Sequence, residues 1–170
     1  MDHNQFKTVF LPLHPLLYRI ALNMLGNSAD AEDAVQETYL KLCRLDTETG
    51  KWGNPRGYCI RILQHICSDS LRRGQYKIFR NSTGTSEAEK REESVSPEKQ
   101  LTEKESTEIV RKCLLTIPES HRIIVILRDI EQLEISEIEK ITGLSSVNVR
   151  VMLSRGRKTL REKIKKYIYG

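Results

Sequence analysis

Val147, Asn148, Val151, Ser154, Arg155 and Lys158 fall on one side of a helix when the sequence from Ser146 onward is projected at about 100 degrees per residue, with Arg150 and Arg157 at the edge of that face. The chemistry such a set can do is recognition rather than bond making. Two β-branched apolar residues among cations suit a helix lying in the major groove of DNA, where valines can meet thymine methyl groups. Asn148 and the basic residues would then reach base edges and phosphates. A merely solvated basic face is the plainer alternative. From Ile141 to Gly170 the only acidic side chain is Glu162, against Arg150, Arg155, Arg157, Lys158, Arg161, Lys163, Lys165 and Lys166, so positive charge collects where a polyanion would sit. Val149, Leu153, Gly156, Leu160 and Ile164 form the opposite, packing stripe.

Two further constellations lie in the first half. A helix opening at Asn54 carries Arg61, His65, Ser68 and Arg72 on one face, with Arg73 next to it, and Cys59, Leu63, Ile66 and Cys67 on the other. A helix opening near Ser28 sets an apolar side of Ala31, Ala34, Val35, Tyr39 and Leu42 against a polar side of Asp33, Gln36 and Glu37. Leu40 projects onto the polar side, as an apolar anchor ringed by polar contacts at a protein interface would. Trp52 is the single tryptophan and stands in a polar loop, where its indole can stack on a base or pack on the surface.

Nothing in the sequence assembles a catalytic site: there is no nucleophile paired with a base, no metal-ligand cluster and no glycine-rich phosphate loop, so neither catalysis nor a cofactor is expected. The four cysteines, Cys43, Cys59, Cys67 and Cys113, fall singly and are expected to be reduced thiols filling the core. The absence of a signal-like start and of an apolar run near membrane-spanning length predicts a cytoplasmic protein.

These residues need elements to hold them, and the punctuation supplies helices. An apolar stretch from Phe6 to Met24 keeps helical spacing despite Pro12 and Pro15 and stops at Gly26. Asn27 or Ser28 caps the next helix, whose first turn is acidic and which should end near Arg44. Asn54 and Pro55 open a third, to about Arg73. Four more are readable near Lys104 to Thr116, Glu119 to Glu131, Ser136 to Thr142 and Ser146 to Tyr167. Ser136 with Glu139 reads as a capping box, Gly143 as the stop and Ser145 as the following cap, which is helix-turn-helix punctuation. Between these halves the apolar periodicity vanishes, and from Glu87 to Glu108 glutamates outnumber Lys and Arg. The expected fold is all-α: a helical unit over 1–75, an acidic flexible linker over 76–103, and a helix-turn-helix unit over 104–170. A net charge of +5 accords with a polyanionic partner.

Three runs together resemble the extracytoplasmic-function (ECF) sigma factors of bacterial RNA polymerase. DAEDAVQETYLKL, Asp30 to Leu42, is similar to that family's polymerase-binding helix, and NPRGYCIRILQHICSDSLRR, Asn54 to Arg73, to its promoter-melting helix. LTIPESHRIIVILRDIEQLEISEIEKITGLSSVNVRVMLSRGRKTLREKI, Leu115 to Ile164, resembles its promoter-reading domain. The resemblance implies that Asp33, Gln36, Glu37 and Leu40 dock on core RNA polymerase. It implies that Trp52, Asn54, Arg61, Gln64, His65, Arg72 and Arg73 serve the minus-ten element and its melted non-template strand. Val147, Asn148, Arg150, Val151, Ser154, Arg155 and Lys158 would read the minus-thirty-five duplex. An anti-sigma factor, membrane-bound in many relatives, is an implied partner. The departures are Gln64 and His65, where the family often has arginine and asparagine, Glu139 in place of alanine, and Met152 in place of arginine. A stand-alone helix-turn-helix regulator of duplex DNA is the alternative, and it leaves the Asp30 to Leu42 helix unexplained.

Overall fold

The computed structural model of the protein describes residues 3–45, 53–81 and 102–170, with the backbone alone over 75–81. Helices account for nearly all of it, and no strand occurs among the described residues. A short lead-in, His3–Gln5, a π-type turn Phe6–Phe10 and a 3₁₀ turn Leu11–Leu13, enters α1, His14–Leu25. Pro12 lies in the tighter turn and Pro15 in the first turn of α1, where the backbone donor that proline lacks is not needed. Gly26 ends α1 in the left-handed conformation, φ 85°, its N–H donating to the Leu22 carbonyl. Asn27 then caps α2, Ser28–Arg44, accepting from the Asp30 N–H at 2.8 Å.

The combined run His3–Leu25 is, by length and composition, apolar enough to cross a bilayer, with a mean hydropathy of 1.2 over its best window, contrary to the expectation from sequence. Part of the run packs in this fold: Phe10, Leu17, Ile20, Ala21 and Met24 are buried, while Val9 and Leu11 are exposed. The buried residues meet Ala31, Ala34, Val35 and Leu42 of α2 and Cys59, Ile60, Leu63 and Ile66 of α3, Pro55–Asn81. Each large side chain so buried contributes about 1.5–3 kcal/mol. The helix α3 runs through the boundary expected near Arg73. Gly74 alone costs a helix only about 1 kcal/mol, and the Gln, Lys and Arg that follow are good helix formers, so loss of apolar periodicity did not mean loss of helix.

The second unit begins with Thr102, whose hydroxyl and Glu105 form a reciprocal capping box opening α4, Glu103–Leu114. It continues with α5, Glu119–Val125, running into a π-type turn Ile126–Ile130, then α6, Ile135–Thr142, and α7, Ser146–Tyr169. The capping box that opens α6 is made by Glu134 and Glu137, not by Ser136 and Glu139. The helix starts one residue earlier than expected, so Ser136 lies inside the first turn. Gly143 ends α6 at φ 74° and Ser145 caps α7, as the punctuation predicted.

One continuous core holds side chains of both units. Helix α3 packs against α6 as well as against α1 and α2, and α1 touches both α4 and α5. A Cβ added at Gly26 would stand 2.5 Å from Leu115 Cδ1, so the second unit closes directly over the end of α1. Of the cysteines, Cys59, Cys67 and Cys113 are buried as expected, but Cys43 is exposed because it lies beyond the apolar side of α2.

Candidate nucleic-acid interface

The face on α7 is built from its first residue. Ser145 Oγ accepts from the Asn148 N–H at 3.3 Å, which fixes where the helix starts and hence where each side chain points. Val149, Leu153 and Gly156 are buried, and Leu160 and Ile164 are half-buried, as the stripe required. At Gly156 an added Cβ would lie 2.7 Å from Val125 Cγ2, so this glycine lets α7 approach α5 closely. The other side stands in solvent: Asn148, Arg150, Ser154, Arg155 and Lys158 are exposed, and so are Val147 at 66% and Val151 at 41%. Arg157 is diverted from that face. Its guanidinium makes a two-pronged pair with Asp129, Nε to Oδ2 at 2.8 Å, which raises its pKa and ties α7 to the turn after α5.

Arg61, His65, Arg72 and Arg73 are exposed on α3, and Gln64 is half-buried. Ser68, expected in the same stripe, is buried. The helix is packed on more sides than a one-sided projection allows, since α6 and the start of α5 also lie against it; the Glu119 carboxylate of α5 helps raise the pKa of Cys67, next in sequence to Ser68. Arg72 lies 3.9 Å from Asp69, both well exposed, so that pair contributes little. Asn54 caps α3, its Oδ1 accepting from the Gly57 N–H at 3.0 Å. A Cβ at Gly57 would come within 2.6 Å of Asn54 Nδ2, so the cap and the glycine form a unit. Trp52 lies outside the described residues.

On α2 Ala31, Ala34, Val35 and Leu42 of the apolar side are buried and Tyr39 is half-buried; Thr38 joins them, its hydroxyl donating to the Ala34 carbonyl at 2.8 Å. Asp33 and Gln36 are exposed, Glu37 is half-buried with Lys41 at 3.6 Å, and Leu40 is 56% exposed between them. The three candidate faces therefore sit on three different helices. Among the described residues no cluster of His, Cys, Asp and Glu is placed to hold a metal ion. Cys59 and Cys67 are pushed up to about 12 by burial, which leaves them as unreactive thiols.

Arg122 went unnoticed in the sequence. It is buried, 7% exposed, and its guanidinium donates to the Met24 carbonyl at 2.5 Å and to the Leu115 and Ile117 carbonyls at 3.0 Å each. An arginine within the apolar run RIIVIL was the available signal.

Residues 9–76 match the family Sigma-70 region 2, and residues 107–160 match Sigma-70, region 4. Together the two matches take in α1 to α3 and α4 to most of α7. The chain belongs to the ECF-type sigma factors. It is 29% identical over 151 residues to "ECF RNA polymerase sigma factor SigE" of Mycolicibacterium smegmatis, a match covering 89% of this chain and 58% of that longer relative. To SigW of Bacillus subtilis it is 23% identical, over 96% of this sigma factor and 91% of the relative. To SigX of the same organism it is 24% identical, over 92% and 82%. The fold resembles that of the sigma factor RpoE of Bartonella quintana, solved in complex with the anti-sigma factor NepR, with a TM-score of 0.74 at 20% identity, covering 95% of this chain and 98% of that one.

Proposed function

We propose that the protein binds core RNA polymerase in the cytoplasm and directs it to a subset of promoters, catalysing nothing itself. The observation that carries this reading is the exposure of Val147 and Val151 among Asn148, Arg150, Ser154, Arg155 and Lys158 on a helix-turn-helix second helix. Exposed β-branched side chains between cations have no use in water, and in a major groove they pack against thymine methyl groups while the cations neutralise phosphates. The relatives' name, ECF RNA polymerase sigma factor, supports the same reading.

On this account α7 reads the minus-thirty-five element as duplex. The Asp33, Gln36, Glu37 and Leu40 face of α2 docks on the polymerase, with Leu40 as the apolar anchor. The α3 residues Arg61, Gln64, His65, Arg72 and Arg73, with its cap Asn54 and with Trp52 two residues earlier in the sequence, serve the minus-ten element and hold the melted non-template strand. Cations tracking a backbone and a stacking ring are what single-strand capture requires. An anti-sigma factor is a further partner, since the solved neighbour was crystallised with one. The test is binding and transcription with purified core polymerase, comparing the native chain with Val151→Asp. The substitution should abolish minus-thirty-five duplex binding while leaving polymerase binding intact; equal duplex binding would overturn the assignment of α7.

A further inference from the structure

The apolar stripe of α7 outlasts the body it packs on. At about 100 degrees per residue the stripe that begins at Val149 continues past Ile164 through Tyr167 and Ile168. Burial falls along it: Val149 and Leu153 are buried, Leu160 and Ile164 are half-buried, and Tyr167 and Ile168 are 45% and 46% exposed. Helix α4 lies beside α7 at the level of Lys163, since burial raises the pKa of Cys113 and the charge of Lys163 opposes that shift. Tyr167 stands one turn further on, and Tyr169 beside it is almost fully exposed. Cations rim the stripe. Arg161 and Lys165 project along one edge and Lys163 along the other, with Lys166 on the back, and all four are exposed. None of them forms an ion pair among the described residues, and Glu162 is the single acid on α7.

This surface is separate from the DNA-reading face. Val147, Val151, Ser154 and Lys158 point to the opposite side of α7, and Ile168 stands about 25 Å along the axis from Val151 at about 1.5 Å per residue. A duplex seated on the valines leaves the stripe uncovered, and phosphates have no use for Tyr167 and Ile168. A stable protein interface takes in about 20–30 residues a side, whereas residues 164–169 offer a narrow convex ridge. A fluid bilayer makes no such demand, because lipid closes around a ridge. Lysine stems can run along the apolar stripe and hold their ammonium groups at headgroup level, where tyrosine rings also settle. Anionic headgroups supply the counter-charge that these cations lack. Six residues of helix rise about 9 Å against an apolar bilayer core of about 30 Å, so such a contact lies in the interface and does not span it.

We propose that the last two turns of α7 dock on an anionic phospholipid bilayer. Tyr167 and Ile168 enter the headgroup layer, and Arg161, Lys163, Lys165 and Lys166 meet the lipid phosphates. The contact goes beyond binding of polymerase and promoter, and the free chain makes it without either.

Co-sedimentation of the full chain with vesicles tests this. The chain should pellet with vesicles of equal parts phosphatidylcholine and phosphatidylglycerol and stay in the supernatant with phosphatidylcholine alone. Tyr167→Ser with Ile168→Ser keeps every charge and should weaken binding about tenfold or more by removing apolar area. Lys163→Gln with Lys166→Gln keeps the stripe and should also weaken it about tenfold or more, since each cation at an anionic surface strengthens binding about fivefold. All four positions are exposed, so helix content by circular dichroism should match the native chain. Arg150→Ala with Arg155→Ala removes as much charge from the other face and should leave vesicle binding within about twofold of native. Failure to pellet with the phosphatidylglycerol vesicles overturns the proposal and leaves the stripe to a protein partner. Undiminished binding by the Tyr167 and Ile168 variant, or equal losses from the arginine and lysine pairs, also overturns it, reducing the effect to general attraction of a basic chain.

Discussion

At the scale of single residues, the candidate faces differ in what their side chains are free to do. Asp33, Gln36 and Leu40 have no structural task that their exposure reveals, so reversing charge at Asp33 and Glu37 together should leave the melting temperature within a few degrees of native. It should abolish association with core polymerase in a pull-down, and retained association would remove α2 from the interface. Arg150 and Arg155 are exposed in the same sense. Their replacement by alanine should weaken promoter-duplex binding by about 1–3 kcal/mol each and flatten the salt dependence wherever a phosphate contact is lost. Titration of binding against salt concentration checks both. Arg157, by contrast, is occupied with Asp129, and its loss should appear in stability before it appears in binding.

The buried thiols give a prediction with a sign. Cys59 and Cys67 titrate near 12 in the folded chain against an ordinary value of 9.0, and Tyr39 near 12 against 10.0, all chiefly because burial disfavours the charged form. The unfolded chain therefore releases these protons first. Their contribution to stability is complete below about pH 9 and is lost as pH rises from there toward 12. Thermal melts across that range should show a falling midpoint. Thiol alkylation at neutral pH should label exposed Cys43 well before the other three cysteines.

At the scale of elements, local rules made most of the helices legible. Gly26, Asn27, Gly143 and Ser145 act through groups within four residues of themselves, so a linear reading finds them. The same locality produced the misplaced start of α6. Ser136 with Glu139 and Glu134 with Glu137 have the same spacing, and only the actual entry of the backbone at Glu134 decides between them. The end of α3 was missed for a related reason: periodicity reports burial, and a helix can outlast its buried face. Gly156 read simply as a member of the packing stripe, while its closeness to Val125 depends on how α7 crosses α5. Gly156→Leu should cost about 1–3 kcal/mol or more through overpacking, measured by denaturant unfolding of the full chain. Asn54→Ala should cost about 1 kcal/mol through loss of the α3 cap.

At the scale of the molecule, the all-α class and the two-part organisation could be read in advance, while the candidate faces are exposed only in part: Glu37 and Gln64 are half-buried and Ser68 is buried. The packing of one unit on the other could not be read. It includes the bond from Arg122 to the Met24 carbonyl, 98 residues away, and the pair of Arg19 with Glu131, 112 apart, contacts that no local pattern announces. Ser68 escaped for the same reason, since its burial comes from how the whole helix is packed and not from its own stripe.

In the proposed function one surface of this chain grips an enzyme while another grips DNA. In vitro transcription from a promoter library, with core polymerase and with or without the purified protein, tests it most directly. Defined start sites should arise only when the protein is added and should vanish with the Asp33 and Glu37 reversal. Initiation that is identical with and without the protein would contradict it.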